Sequence, residues 1–149
     1  MIQKVYPYRL WKLGKDFRRY AEVIFKNKIN GADPRPFYFM IGHSYELILK
    51  SFLLTKGIEL KTLKNKYGHN LLNLFKLAMK YKEFKEIEGI KEIESIVDLL
   101  NEYYKEKDFE YIGTESMDVR HPIVLFEDFD ILSNVCEKTC EAFINKKQS

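Results

Sequence analysis

The chain has 149 residues, of which 46% are hydrophobic and 32% charged, and its formal net charge at pH 7 is +3. This length fits one domain that can bury its own core, and the hydrophobic content excludes a disordered protein. No apolar run approaches the roughly 18 residues that cross a bilayer, and the first residues lack the apolar core of a signal peptide. We therefore expect a single domain over residues 1–149, located in the cytosol and not in a membrane.

The charges are unevenly distributed along the chain. Residues 1–81 carry sixteen Lys and Arg against five Asp and Glu, whereas residues 82–149 carry nine against seventeen. If folding keeps the two halves apart, the molecule has one basic and one acidic surface. A basic surface suits nucleic acid or nucleotides, and two complementary surfaces suit head-to-tail association. The alternative is an ordinary solvated exterior.

The first predicted helix runs from about residue 9 to residue 26, and Asn30-Gly31 ends it because glycine tolerates the backbone geometry of a helix C-terminus. Its apolar residues recur at helical spacing, which predicts a buried stripe. Basic residues fall near the opposite side, where they could face phosphates. The predicted stripe consists of Leu10, Leu13, Phe17, Tyr20 and Ile24, and the basic side of Lys12, Lys15, Arg19 and Lys26.

A second helix is predicted to start at Asp33-Pro34, where an acidic cap precedes a proline near the first helical position. It reaches about Thr55, and Gly57 ends it. Apolar residues cover several sides of this helix. We therefore expect it to be the central helix of the fold.

Three further helices are predicted at about 69–81, 89–105 and 126–146. Residues 58–68 form a polar connection, and residues 107–122 are expected to be an ordered loop because they contain large apolar side chains. No stretch alternates with period two for long enough to indicate a sheet. The predicted fold is all-α, an up-and-down antiparallel bundle of four to five helices.

A polar cluster is predicted on the second helix. His43, Glu46 and Lys50 are spaced i, i+3 and i+7, so they share one side of that helix. The helix is very apolar, and a buried charge must be partnered. His69, at the start of the third helix, is the natural candidate partner. The cluster could be a satisfied polar network that fixes how helices meet, a ligand-binding site, or a catalytic site.

A second polar feature precedes the last helix. Pro122 restricts His121 to extended geometry, which indicates an ordered turn. Arg120 in such a turn could hold a phosphate or carboxylate through two parallel hydrogen bonds. Alternatively, Arg120 pairs with a local acid such as Asp118 or Glu115.

The sequence gives no sign of a metal or cofactor site. Cys136 and Cys140 lie four residues apart on the apolar face of the last helix, without further ligands nearby, so small core residues are the better interpretation. There is no Gly-rich phosphate loop and no His-Glu-x-x-His zinc motif. We expect neither a metal nor a cofactor.

Three segments together resemble the HEPN domain family, whose name refers to nucleotide binding in higher eukaryotes and prokaryotes. They are GHSYELILKSFLLTKGI, the later GHNLLNL, and the triplet Arg120-His121-Pro122. The family pattern is a helix with Glu-x-x-x-Lys, then Gly, then His-Asp-Leu opening the next helix, and an Arg-Tyr-Pro-like triplet near the last helix. Asn70 stands where Asp is usual, and His121 where Tyr is common. The resemblance covers about residues 9–145.

The resemblance implies a bundle of four or five helices that is commonly dimeric. Many members pair with a minimal nucleotidyltransferase encoded alongside, as in toxin–antitoxin operons, and others resemble the C-terminal half of aminoglycoside nucleotidyltransferases. We therefore expect a non-catalytic domain that binds nucleotide, nucleic acid, or a partner protein. The expected partner is a second copy or a small nucleotidyltransferase. The residues expected to order the binding groove are His43, Glu46, Lys50, His69 and Arg120.

Two alternatives stay open. A further branch of the family consists of metal-independent ribonucleases with an Arg-x(4–6)-His motif. Such cleavage needs a general base and a cation at the phosphate, and Arg120 and His121 supply both types of group. They are adjacent in sequence, so they would act together only across a dimer interface. The third alternative is a structural helical adaptor.

Overall fold

A computed structural model describes residues 2–27, 29–104 and 122–148. This part of the chain is all-α, as predicted, with seven α-helices, one π-helical turn and no strand. No helix in it combines the length and apolar character needed to cross a bilayer. The helices are α1 (Ile2–Lys26), α2 (Arg35–Thr55), α3 (Leu60–Thr62), α4 (Leu71–Ala78), α5 (Lys82–Lys85), α6 (Ile90–Tyr104) and α7 (Pro122–Gln148), and the π-helical turn spans Leu63–Tyr67.

Helix α2 is the central helix, as predicted. Nearly every residue from Phe37 to Leu53 is buried, and α2 packs against α1, α4, α6 and α7. The Asp33 carboxylate accepts a hydrogen bond from the backbone N–H of Arg35 at 2.9 Å, which satisfies a donor at the helix start. At the other end Gly57 has φ +86°, a conformation that favours glycine.

The predicted polar connection at 58–68 has helical structure that the sequence did not indicate. Most of it is helical, because α3 and the π-helical turn together occupy residues 60–67. Leu63 is fully buried and anchors the segment in the core. The expected ordered loop at 107–122 falls almost entirely on residues outside the described part.

The predicted buried stripe of α1 is wrong for three of its five residues, while Leu10 and Phe17 are half-buried. Leu13, Tyr20 and Ile24 are 45%, 65% and 40% exposed, respectively. The buried side instead carries Trp11 and the fully buried Ala21. Both sides of this helix have apolar residues at helical spacing, and the small residues on the buried side allow α1 to approach α2 closely, which periodicity alone does not reveal.

Helix α1 is fastened to α7 by polar contacts. The Trp11 indole N–H donates to the backbone oxygen and the hydroxyl of Ser133, both at 3.0 Å. Arg18 donates two hydrogen bonds to the Asp130 carboxylate, at 2.8 and 2.9 Å, and also pairs with Glu22. A two-pronged guanidinium–carboxylate contact fixes orientation as well as distance.

In the described part of the chain, helices from the basic half pack beside helices from the acidic half. Helix α1 packs beside α7, and α4 packs beside α6. Among the described residues the two halves are therefore not kept apart, which was the condition for one basic and one acidic surface.

Candidate functional site

The Glu46 carboxylate, near the middle of α2, collects three hydrogen bonds although it is only 3% exposed. Lys50 Nζ donates to its Oε2 at 3.1 Å, while His69 Nδ1 and the Tyr104 hydroxyl contact its Oε1 at 2.6 and 2.9 Å. The predicted contact of Glu46 with Lys50 and His69 is thus confirmed. We call Glu46, Lys50, His69 and Tyr104, together with His43, the Glu46 cluster.

Tyr104 is the member of the cluster that the sequence did not reveal. Its helical spacing from Ile93, Val97 and Leu100 indicates only an apolar face of α6, and that pattern does not predict a hydrogen bond from its hydroxyl to a carboxylate 58 residues away. The available signal was Gly42, one turn before Glu46. A Cβ atom at Gly42 would lie 2.4 Å from the Tyr104 ring, so only glycine lets that ring lie against α2.

His43 joins the cluster through Tyr104. Its Nδ1 lies 2.9 Å from the Tyr104 hydroxyl oxygen and 4.0 Å from Glu46 Oε2. The His43 ring meets Phe17 of α1 edge-on, with centroids 4.6 Å apart, and lies nearly parallel to Phe39 at 6.0 Å. These contacts fix the plane of the imidazole, which is partly exposed.

The protonation states in the cluster follow from its contacts. Burial opposes ionisation of Glu46, but hydrogen bonds from His69 and Tyr104 and the Lys50 charge outweigh it, so the pKa of Glu46 is lowered. Burial, together with the adjacent Glu46 charge, raises the pKa of Tyr104 far above its ordinary value. Near neutral pH the cluster therefore contains a carboxylate and a neutral phenol.

These states determine the tautomers of both histidines. A carboxylate only accepts hydrogen bonds, so His69 Nδ1 must carry the proton that reaches Glu46. Tyr104 gives its single proton to Glu46, so its oxygen accepts from His43 Nδ1–H. In the neutral form each ring then has its basic lone pair on Nε2. The His69 side chain is 41% exposed, so its ring reaches solvent.

Of the basic side chains of α1 that were predicted to face phosphates, Lys12 and Arg19 are exposed and Lys15 is half-buried, and each makes a local contact. Lys12 and Arg19 both approach the Asp16 carboxylate, at 3.3 and 3.8 Å, and Lys15 Nζ lies 5.1 Å from the Trp11 ring centroid. In the described part of the chain none of the three makes an ion pair with the Glu46 cluster. Their phosphate-facing role stays a prediction.

The remaining predicted residues divide into two groups. Arg120 and His121 lie outside the described residues, so their place relative to the cluster is untested. Cys136 and Cys140 are fully buried, which confirms them as core residues, and burial raises the pKa of both thiols, that of Cys140 to about 11. Within the described ranges no three His, Cys, Asp or Glu side chains are grouped so that they could hold a metal ion.

Comparison of the chain with curated proteins and with solved structures gives no significant match. A family model does match: the HEPN domain model aligns with residues 8–124, which is most of the chain and includes α1, α2, α4 and α6. The matched region contains every residue of the Glu46 cluster. This chain belongs to the HEPN domain family.

Proposed function

We propose that this HEPN domain binds a phosphate-containing ligand, a nucleotide or RNA, and that it is not catalytic on its own. The observation that carries the proposal is the buried Glu46 carboxylate, which orients His69 directly and His43 through Tyr104. An oriented imidazole takes up a proton when an anion approaches and then donates from both ring nitrogens.

The charge balance of the cluster supports anion binding. The buried carboxylate of Glu46 is matched by the ammonium of Lys50, so the pair contributes no net negative charge at the His69 ring. A proton taken up by His69 then attracts phosphate at the exposed edge of that ring. The Glu46 cluster therefore suits a negatively charged ligand that contacts the His69 ring and places no bulky group in the core.

A purely structural cluster is a weaker explanation. Apolar residues of similar volume usually stabilise a helix interface as well as a buried ion pair, because desolvation offsets the attraction. A buried carboxylate that also directs two partly exposed imidazoles goes beyond what packing requires. This reasoning favours ligand binding over the adaptor alternative.

We also propose a protein partner on the outer side of α1, either a second copy or a small nucleotidyltransferase. Four large apolar side chains lie exposed there, and exposed apolar side chains grouped on one helix of a small domain are typical of an interaction surface. They are Leu13, Tyr20, Val23 and Ile24.

The ribonuclease alternative has one observation in its favour. The His69–Glu46 pair, at 2.6 Å, has the form of a carboxylate that orients a general base. The proposed catalytic pair Arg120 and His121 would have to act beside it or instead of it. Incubation of the protein with RNA in chelator tests this directly, since cleavage there would make the domain an enzyme.

The proposed function is tested by measuring binding of ATP and of a short single-stranded RNA to the wild type and to His69→Ala. We expect the wild type to bind at least one of them and His69→Ala to bind at least tenfold more weakly. His69 is partly exposed, so the variant should keep its helical circular dichroism and serve as a folded comparison. If the wild type binds neither ligand, the proposal is wrong and the result favours the structural adaptor.

A further inference from the structure

The stretch from Leu60 to Lys82 is the longest part of the sequence without an acidic residue. It contains six lysines and His69, and no Asp or Glu. The structure folds its first part as α3 and the π-helical turn, with Leu63 buried as the anchor. Short π-helical segments occur frequently at functional sites. We call the exposed lysines of this segment, Lys61, Lys64 and Lys66, the lysine turn.

The lysine turn differs electrostatically from the basic side of α1. Within the described ranges Lys61 and Lys64 make no ion pair or hydrogen bond, and Lys66 contacts only the ring of its neighbour Tyr67, 5.7 Å from the centroid. On α1, Lys12, Arg19 and Lys26 instead lie beside Asp16 or Glu22. In the described structure no carboxylate therefore lies within ion-pair distance of the lysine turn.

The lysine turn is joined to the Glu46 cluster directly through the backbone. Gly68 N–H donates to the Leu63 oxygen at 2.9 Å, and Asn70 N–H donates to the Tyr67 oxygen at 3.0 Å. His69 lies between these two bonds and is itself bound to Glu46. The oriented imidazole therefore follows the three lysines within eight residues, in a turn closed by these bonds.

From this juxtaposition we infer that the lysine turn and His69 form the phosphate-binding surface, and that its ligand is the phosphodiester backbone of single-stranded RNA. This inference rests on the proposed function and assigns its site. Three separate lysines with a fourth donor suit several successive phosphates better than one nucleotide. Recognition through phosphates alone is independent of base sequence.

The test compares the full chain with a triple variant carrying Lys61→Gln, Lys64→Gln and Lys66→Gln. Affinity for a fluorescent single-stranded RNA is measured by anisotropy at several salt concentrations. Each lost phosphate contact on a single strand flattens the log–log salt dependence by about 0.7, so the triple variant should flatten it by about 2. We expect its affinity at low salt to fall at least tenfold, with an unchanged melting temperature.

The matched control removes three exposed charges outside the proposed surface, with Lys85→Gln, Lys91→Gln and Lys138→Gln. We expect this control to keep its affinity within about threefold. If it loses as much affinity as the lysine-turn variant, or more, the site assignment is wrong while the proposed function stands. The assignment to RNA is wrong if the wild type binds ATP and not RNA. If the wild type binds neither, the proposed function fails and the inference fails with it.

Discussion

The Nδ1 atom of His69 lies 2.6 Å from Oε1 of Glu46, a contact that joins the turn before α4 to helix α2 across 23 residues of sequence. The contact makes Glu46 serve two purposes, since the same carboxylate also holds Lys50 on its own helix. Changes at Glu46 should therefore affect both the stability of the fold and the order of the proposed binding surface.

Replacing Glu46 with Leu should destabilise the protein by about 3 kcal/mol, because it leaves the buried Lys50 ammonium unpaired. The double variant Glu46→Leu with Lys50→Leu removes both charges and should recover at least half of that loss. Urea unfolding followed by circular dichroism measures both values. Equal destabilisation of the single and double variants would show that the ion pair is not coupled.

The lowered pKa of Glu46 makes part of the stability depend on pH. A carboxyl group with a folded pKa below its ordinary value of 4.5 stabilises the fold above that pH, and this contribution is lost as pH falls through the folded pKa. We expect the melting temperature of the wild type to fall below pH 4.5 more steeply than that of Glu46→Gln. Parallel profiles for the two proteins would show that another group is responsible.

Gly42→Ala should displace the Tyr104 ring, since the added Cβ would lie 2.4 Å from it. We expect a loss of about 2 kcal/mol from overpacking and from the broken Tyr104–Glu46 hydrogen bond. The control is the same substitution in a Tyr104→Leu background, where a smaller and more flexible side chain can yield. Additive losses in the double variant would contradict a direct clash.

Placing charge among the exposed apolar side chains of α1 should prevent association without harming the fold. We expect Val23→Lys with Ile24→Lys to convert a wild-type dimer to a monomer in light scattering, with little change in melting temperature because both residues are exposed. Asn27→Lys, which adds a charge near the end of the same helix, is the control. A wild type that is already monomeric when concentrated would exclude the second copy and leave the nucleotidyltransferase as the proposed partner.

The sequence was sufficient to predict the all-α fold and the positions of the five longer helices, because their periodicity and glycine boundaries are local signals. It also predicted the contact of Glu46 with Lys50 and His69, because a charge within an apolar helix must find a partner. It missed Tyr104, whose hydroxyl partner depends on how α6 crosses α2. The prediction that Leu13, Tyr20 and Ile24 are buried was wrong, because small residues such as Ala21 carry a weak hydrophobic signal and still pack most closely.

The bond between the Trp11 indole and Ser133 has a practical consequence. Trp11 is the single tryptophan of the chain, and it lies where the first and last helices meet. Its fluorescence emission should therefore shift to longer wavelength only when these two helices separate. Without an added label, tryptophan fluorescence therefore distinguishes global unfolding from a local conformational change around the Glu46 carboxylate.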